Sequence, residues 1–431
     1  MIQGFSGGLL NRELIYQTDL PSFQRDFASL KTLDHGTGPA ITFTRASGAT
    51  FFDADGVLQT AANDAPRFDH SATGSSLGLL IEEARTNSIR NSQAGGAVAG
   101  APGTLPTNWA ASTATGINRE VVATGTLNGL AYIDLKFSGT NTSGGASSIQ
   151  VLFESTTQIV ASTGQNWSAS AYVALIAGGF SNITNERLVL TERSDAGAAL
   201  SSHSVAITSA TATLQRYSVS AALAEATAAR VTSSIIGSVA DGATIDITLR
   251  IAAPQLEQGS FATSYIPTTT AAATRAVDSA VVTPISSFYN QVESTIFSEL
   301  SSTSVAFDST ILAINNGTQN EQLDQRLAIT AVTARARVGG VNVGSIAGVS
   351  PVIAPVAGTV YKFVAGYKQD DFAASMDGAT VVTDTSGNMP TGLSQMVIGS
   401  RGGSAFLNGH IRKIAYWPKR LTNTLLEQLT T

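Results

Sequence analysis

The sequence predicts an all-β protein: two antiparallel β-sandwiches of jelly-roll type in tandem, behind a mixed N-terminal segment. Three observations carry this. Short runs in which β-branched or aromatic residues alternate with small polar ones recur from Ile41 to the C-terminus, and such period-two runs read as half-buried strands. Gly, Ser, Asn and Thr turns separate the runs, with no convincing helical stretch between 109 and 265. Two turn-rich, charge-poor segments, 93–108 and 266–284, divide the chain. The expected organisation is 1–40 as a separate N-terminal segment, 41–95 as strands packed on the first sandwich, 96–275 as that sandwich, and 276–431 as the second.

Residues 1–40 hold short strands or a helix, and "NRELIYQTDLPSFQRDFASLKTLDHG" does not decide between them. From Ile41, "ITFTRASGATFFDADGVLQT" reads as a hairpin broken by the turn Asp53–Gly56. Asp53 and Asp55 resemble part of a calcium loop, but Gly56 is misplaced and no bidentate Glu follows at the required spacing, so the turn is the better reading. "QAGGAVAGAPGTLPTN" (93–108) is a loop. The first sandwich then follows in runs such as "AYIDLKFSG", "SIQVLFES", "WSASAYVALIAG", "ERLVLTER", "QRYSVSAAL" and "ATIDITLRIAAPQLE". The Ala-rich "VSAALAEATAARVTSS" is taken as strand, loop and strand because of its neighbours. The second sandwich repeats the pattern from "STIFSELSS" to "GHIRKIAYWPKRL" and closes with "TNTLLEQLTT", a short helix capped by Thr or Asn.

Composition narrows the function. The 431 residues are 43% hydrophobic, enough for sizeable cores, but only 13% charged, about half the usual share of roughly 25%. A net charge of −6 and a pI near 5.3 argue against nucleic acid or an anionic membrane surface as partner. No run of 18 apolar residues occurs, so no membrane insertion is expected. The N-terminus lacks the basic region and apolar core of a signal peptide. With no cysteine, thiolate metal sites, disulfides and Cys nucleophiles are excluded, and four scattered histidines make a His-rich metal site unexpected. No nucleophile elbow, phosphate loop or HExxH is present, and neither a cofactor nor a metal is expected.

The adjacent carboxylates of "SSLGLLIEEARTNSIRNS" (75–92) invite a glycosidase reading. In a strand, however, Glu82 and Glu83 would diverge, and they would not flank one glycosidic bond at the required separation of roughly 5 to 10 Å. A structural role is expected instead: Arg45, Arg67, Glu82, Glu83 and Arg85 form ion pairs or hydrogen bonds at the base of the first sandwich. Trp167 and Trp417 read as core anchors, while Trp109 beside the Pro/Gly loop is open to either core or sugar stacking. The candidate ligand edge is the loop Tyr367–Asp371, where an aromatic stands beside two carboxylates, Asp370 and Asp371. Asp377–Gly378 is a hairpin turn.

The block "FTRASGATFFDADGVLQTAANDAPRFDHSATGSSLGLLIEEARTN" (43–87) resembles the start of a family of tailed-bacteriophage structural proteins, in which aromatic-Thr-Arg-Ala-Ser, Ala-Pro-Arg-Phe-Asp and Gly-Leu-Leu-Ile-Glu stretches follow in that order. "PQLEQGSFATSYIPTTTAAATRAVD" (254–278) is similar to the end of their first sandwich. "FLNGHIRKIAYWPKRLTNTLLEQLT" (406–430) resembles the end of a concanavalin-A-like, laminin-G-like sandwich. The resemblance implies a non-enzymatic virion protein made in the host cytoplasm, a fibre or spike with lectin-like sandwiches for host-surface glycans. It further implies a homo-oligomer, most simply a homotrimer, whose segment 1–40 anchors it to other virion proteins. A capsid decoration protein without a receptor and a polysaccharide depolymerase are the alternatives.

Overall fold

The computed structural model describes residues 20–303, 308–328, 331–346 and 356–431. The protein is all-β, with antiparallel strand pairing throughout the registered sheets. It divides into two compact units, one nested within the other along the chain. The inserted unit comprises Arg85–Arg275 and the short stretch Val57–Gln59; the flanking unit comprises the chain up to Gly56, Thr60–Ala84 and Ala276–Thr431.

The flanking unit is a sandwich of two large sheets. One runs in the order Thr42–Thr44, Ser279–Val282, Gln395–Ile398, Ser309–Asn315, Gln322–Ala328, Ala331–Val338, Val341–Ile346. The other runs Val382–Asp384, Phe372–Met376, Tyr361–Lys368, Glu293–Ser302, Gly409–Trp417, Ser76–Ile81, Phe68–His70, with Phe23–Asp26 also pairing onto Gly409–Trp417. Alternation builds the core between them: Ile296 and Leu300 of Glu293–Ser302 face inward beside Phe363, Ile411 and Ile414. Phe297 on the opposite face is buried too, because the helix Asn423–Thr430 lays Leu426 and Leu429 over it. The Thr422 hydroxyl caps that helix by accepting from the Leu425 backbone N–H.

Most of the strands of 41–84 therefore belong to the flanking unit and not to the first sandwich, where the sequence reading expected them. Phe43 pairs with Ala280 and Leu80 with His410, so Thr42–Thr44 and Ser76–Ile81 complete the sheets of the unit that contains 276–431, while Ala49–Phe52 and Leu58–Ala61 pair with each other. Alternation identifies a strand but not its partner, and here the partners lie hundreds of residues downstream. Of the stretch 41–84 only Val57–Gln59 belongs to the inserted unit, where the Leu58 N–H donates to the Asn128 carbonyl at 2.9 Å.

The expectation of a separate segment 1–40 also needs correction where it can be followed. Phe23–Asp26 pairs with Gly409–Trp417, Phe27–Leu30 forms one helical turn, and Phe23 and Phe27 are wholly buried in the flanking core. Arg25 fastens the following loop by donating to the carbonyls of Leu33 and Thr37 at 2.6 and 2.5 Å. The apolar residues expected to dock on another protein, Phe5, Leu9, Leu10, Leu14, Ile15 and Tyr16, lie outside the described residues.

The inserted unit is a sandwich of two five-stranded sheets. Their orders are Gln215–Ala222, Asn166–Gly178, Thr244–Gln258, Leu130–Thr140, Ile117–Leu127 and Ala199–Ala206, Ile183–Arg193, Arg230–Val239, Ser147–Leu152, Ala110–Ser112. Its core gathers Trp109, Phe137, Phe153, Trp167 and Ile251 among others. The Ala-rich 219–234 is strand, loop and strand. At its two ends Arg85–Asn87 pairs with Ala273–Arg275.

Candidate functional site

Four strand ends of the flanking unit converge on one buried polar network. Arg45 follows Thr42–Thr44, Arg67 precedes Phe68–His70, Glu82 follows Ser76–Ile81, and Asp278 precedes Ser279–Val282. Asp278 takes Arg45 Nη1 on Oδ1 at 3.2 Å and Arg67 Nη2 on Oδ2 at 2.5 Å. Arg67 Nη1 reaches Glu82 Oε2 at 2.8 Å. The Glu82 backbone N–H donates to Asp278 Oδ2 at 2.9 Å, and the Asp278 N–H donates to the Glu82 carbonyl at 3.0 Å. Arg45 further donates to the carbonyls of Ser47 and Ala62 at 2.8 and 2.7 Å, and Arg67 to that of Thr50 at 3.1 Å.

Two guanidiniums thus face two carboxylates, and none of the four side chains is more than 2% exposed. Burial alone would lower the Arg67 pKa, but the charges of Glu82 and Asp278 and the hydrogen bonds to both outweigh it, so the pKa ends above its ordinary value. Carboxylates buried this way are out of reach of a substrate. The network joins four chain segments of the flanking unit.

The other residues singled out by sequence lie elsewhere. Glu83 is half-buried, and its backbone N–H donates to Asn408 Oδ1 at 2.9 Å. Arg85 begins the strand Arg85–Asn87. It belongs to the inserted unit, where it donates to the Gln258 carbonyl and stacks 4.8 Å from the Phe261 ring centroid. Arg45, Arg67 and Glu82 meet with Asp278 in the flanking unit.

The Tyr367–Asp371 edge is also corrected. Tyr367 is 1% exposed within the flanking core and donates its hydroxyl to the Asp324 carbonyl at 3.1 Å, so it offers no ring to a sugar. Burial pushes its phenol well above the ordinary tyrosine range. Asp370 has a left-handed backbone, φ 56°, and its Oδ1 accepts from the Gly387 N–H at 3.0 Å, a turn-fixing role. Asp371, about half exposed, pairs with Arg420 at 3.1 Å. Trp109, Trp167 and Trp417 are all buried, and Trp109 donates Nε1 to the Asn91 carbonyl and packs edge-on against Phe153.

Two histidine–carboxylate pairs complete the inventory: His410–Asp69 at 2.9 Å in the flanking unit and His203–Glu192 at 3.0 Å in the inserted one. Among the described residues no group of three or more His, Asp or Glu side chains is placed to hold a metal ion. The Asp53–Gly56 stretch is a turn, with Asp53 Oδ1 accepting from the Asp55 N–H at 3.0 Å. The sequence reading missed Asp278, the hub of the network. Its signal was its place at the end of the Ala-Thr-Arg-Ala-Val-Asp stretch, the last residue of the second family-like block.

No family model matches the sequence, and no curated protein matches it. Among solved structures the chain is similar to the CBM40 of Ruminococcus gnavus IT-sialidase bound to α2,6-sialyllactose, with 15% identity and a TM-score of 0.29 over 33% of this chain and 85% of that one. It is also similar to domain 4 of AbnA, a GH43 extracellular arabinanase of Geobacillus stearothermophilus in complex with arabinotriose, with 11% identity and a TM-score of 0.28 over 40% of this chain and 83% of that one. A third likeness, to the NanB sialidase of Streptococcus pneumoniae, has 14% identity and a TM-score of 0.27 over 34% of this chain and 26% of that one. The all-β architecture rests on the sheets described above, not on these partial likenesses.

Proposed function

We propose that this chain is a non-catalytic structural protein of a tailed-bacteriophage virion, a homotrimeric fibre or spike whose β-sandwich units meet glycans on the host surface. The observation that carries the reading is the buried network. Arg45, Arg67 and Glu82 come from the first family-like block and Asp278 from the second, while Asn408 of the third holds the Glu83 backbone. The residues that mark the resemblance therefore work as architecture, drawing distant chain segments into one sandwich. That is the requirement of a load-carrying particle component. The N-terminal segment attaches the protein to other virion proteins.

Imaging of particles that carry a labelled copy tests the location; a copy absent from purified particles overturns it. Glycan attachment is tested by binding of the purified protein to host cells and to cells stripped of surface polysaccharide. Equal binding to both removes the glycan role and leaves a decoration protein. Release of reducing sugar ends from the polysaccharide would make it an enzyme.

A further inference from the structure

Among the described residues the outer face of the seven-stranded sheet carries more guanidiniums than carboxylates. On Gln322–Ala328 and Ala331–Val338, Leu323, Leu327, Val332, Ala334 and Ala336 face the core. Period two then places Gln322, Asp324 and Arg326 on the opposite face, across from Arg337, Arg335 and Thr333. Thr310 lies beside Arg326 from the neighbouring strand. Arg401, from the turn after Gln395–Ile398, feels the charges of Arg326, Asp324, Arg335 and Arg337.

The carboxylates present do not satisfy these cations. Asp324 is consumed by Arg335, which grips it with two bonds of 3.0 and 2.6 Å, and by Gln322 Nε2 at 2.7 Å. Arg326 has Asp308 at 3.0 Å, itself 47% exposed. Arg337 donates only to the Gly340 carbonyl, and the Arg401 guanidinium has no partner among the described residues. The internal stretches outside the description, 304–307, 329–330 and 347–355, contain no Asp or Glu.

Buried polar atoms on the same face are also unpartnered: Nε of Arg326, Arg337 and Arg401, Oγ1 of Thr310 and Oε1 of Gln322. Thr310 and Gln322 are fully buried. A buried group without a partner costs about 1–3 kcal/mol, and this face gathers five of them. Burial, and then the neighbouring guanidiniums, lower the pKa of Arg401, the mark of a cation lacking its counter-charge. The chain as a whole is acidic at −6, so this local surplus is not a general property of its surface.

We propose that this face binds an anionic saccharide, its carboxylate or sulfate held by the guanidiniums of Arg326, Arg337 and Arg401. The anion follows from the cluster; the saccharide rests on the glycan-presenting reading above.

The test is titration of the full chain with an oligogalacturonate, a heparin oligosaccharide, a neutral galactose oligomer and a single-stranded DNA oligomer. One of the two acidic saccharides should bind, and which one binds separates carboxylate from sulfate. R401Q and R337Q should each weaken it about tenfold or more, as loss of a charge-assisted bond requires. R230Q, which alters an exposed pair in the inserted unit, should leave it unchanged, and thermal midpoints should show all three variants folded. Binding of neither acidic saccharide, or of DNA more tightly than both with the same arginine dependence, overturns the proposal. So does binding indifferent to R401Q and R337Q. Neutral-oligomer binding without acidic binding overturns this inference and leaves the glycan-presenting function standing.

Discussion

Arg67 and Asp278 are 211 positions apart in the chain and 2.5 Å apart in the fold. Asp278 also holds Arg45 and accepts the Glu82 N–H, so a single carboxylate satisfies three chain segments. Removing it strands two buried guanidiniums. D278A should lower the stability of the flanking unit by about 3–5 kcal/mol, read from chemical denaturation. D278N, which retains the shape and one acceptor, should cost less. Equal stability of D278A and wild type would show that the network contributes nothing.

The strand that delivers Glu82 passes very close to its neighbour. Gly78 has φ +99°, and a Cβ there would lie 2.3 Å from the Ile411 carbonyl oxygen. G78A should therefore destabilise the flanking unit by at least about 1–3 kcal/mol from the backbone conformation alone, with the clash in addition. A thermal midpoint unchanged by G78A would contradict the close crossing.

Three buried tyrosines and the half-buried Tyr289 give an alkaline signature. Burial raises the phenols of Tyr265, Tyr289, Tyr367 and Tyr416 above their ordinary value of 10. The folded form keeps its proton where the unfolded form loses it. Their stabilising contribution is complete below pH 10 and is lost as pH rises beyond it. Phenolate absorbance should stay short of the full nine tyrosines until the protein unfolds. Y367F should cost about 1 kcal/mol for the lost bond to Asp324.

At the acid end, Glu192 of the inserted unit is the group to follow. Burial would raise its pKa, but the N–H groups of Glu225 and Ala224 and the pairing with His203 outweigh that and leave it below its ordinary 4.5. A carboxylate depressed on folding contributes stability above pH 4.5 that is lost as pH falls through its folded value. E192Q should flatten the acid limb of the stability curve for the inserted unit while lowering stability at neutral pH. An acid limb identical in E192Q and wild type would assign the loss to other groups.

The strands were legible because alternation is a local property. Trp167, Ala169, Ala171 and Val173 mark the buried face of Asn166–Gly178 in the bare sequence. Pairing was not legible: nothing in "SLGLLI" names Gly409–Trp417 as its neighbour, so 41–84 were placed with the nearer sandwich. Tyr367 was misjudged although the signal was present. Tyr361, Phe363, Ala365 and Tyr367 alternate into the core, and its place beside Asp370 and Asp371 drew attention from that period. Arg335 and Arg337, alternating with Ala334 and Ala336, announce a basic face in "TARARV". The need for a counter-charge emerges only when Arg401 arrives from a distant turn.

The pairing of Arg85–Asn87 with Ala273–Arg275 has a consequence for synthesis. On the ribosome the inserted unit is complete once Arg275 has emerged, whereas Ser76–Ile81 must wait for Gly409–Trp417 to be translated. Maturation thus runs from the middle of the gene outward, reversing the usual order in which the N-terminal part folds first. A message truncated before codon 409 would yield a finished inner unit flanked by orphaned strands. The same geometry makes the codons around 84 and 276 a natural seam for recombination, with Val57–Gln59 the one stretch of the inner unit left on the outer side of it.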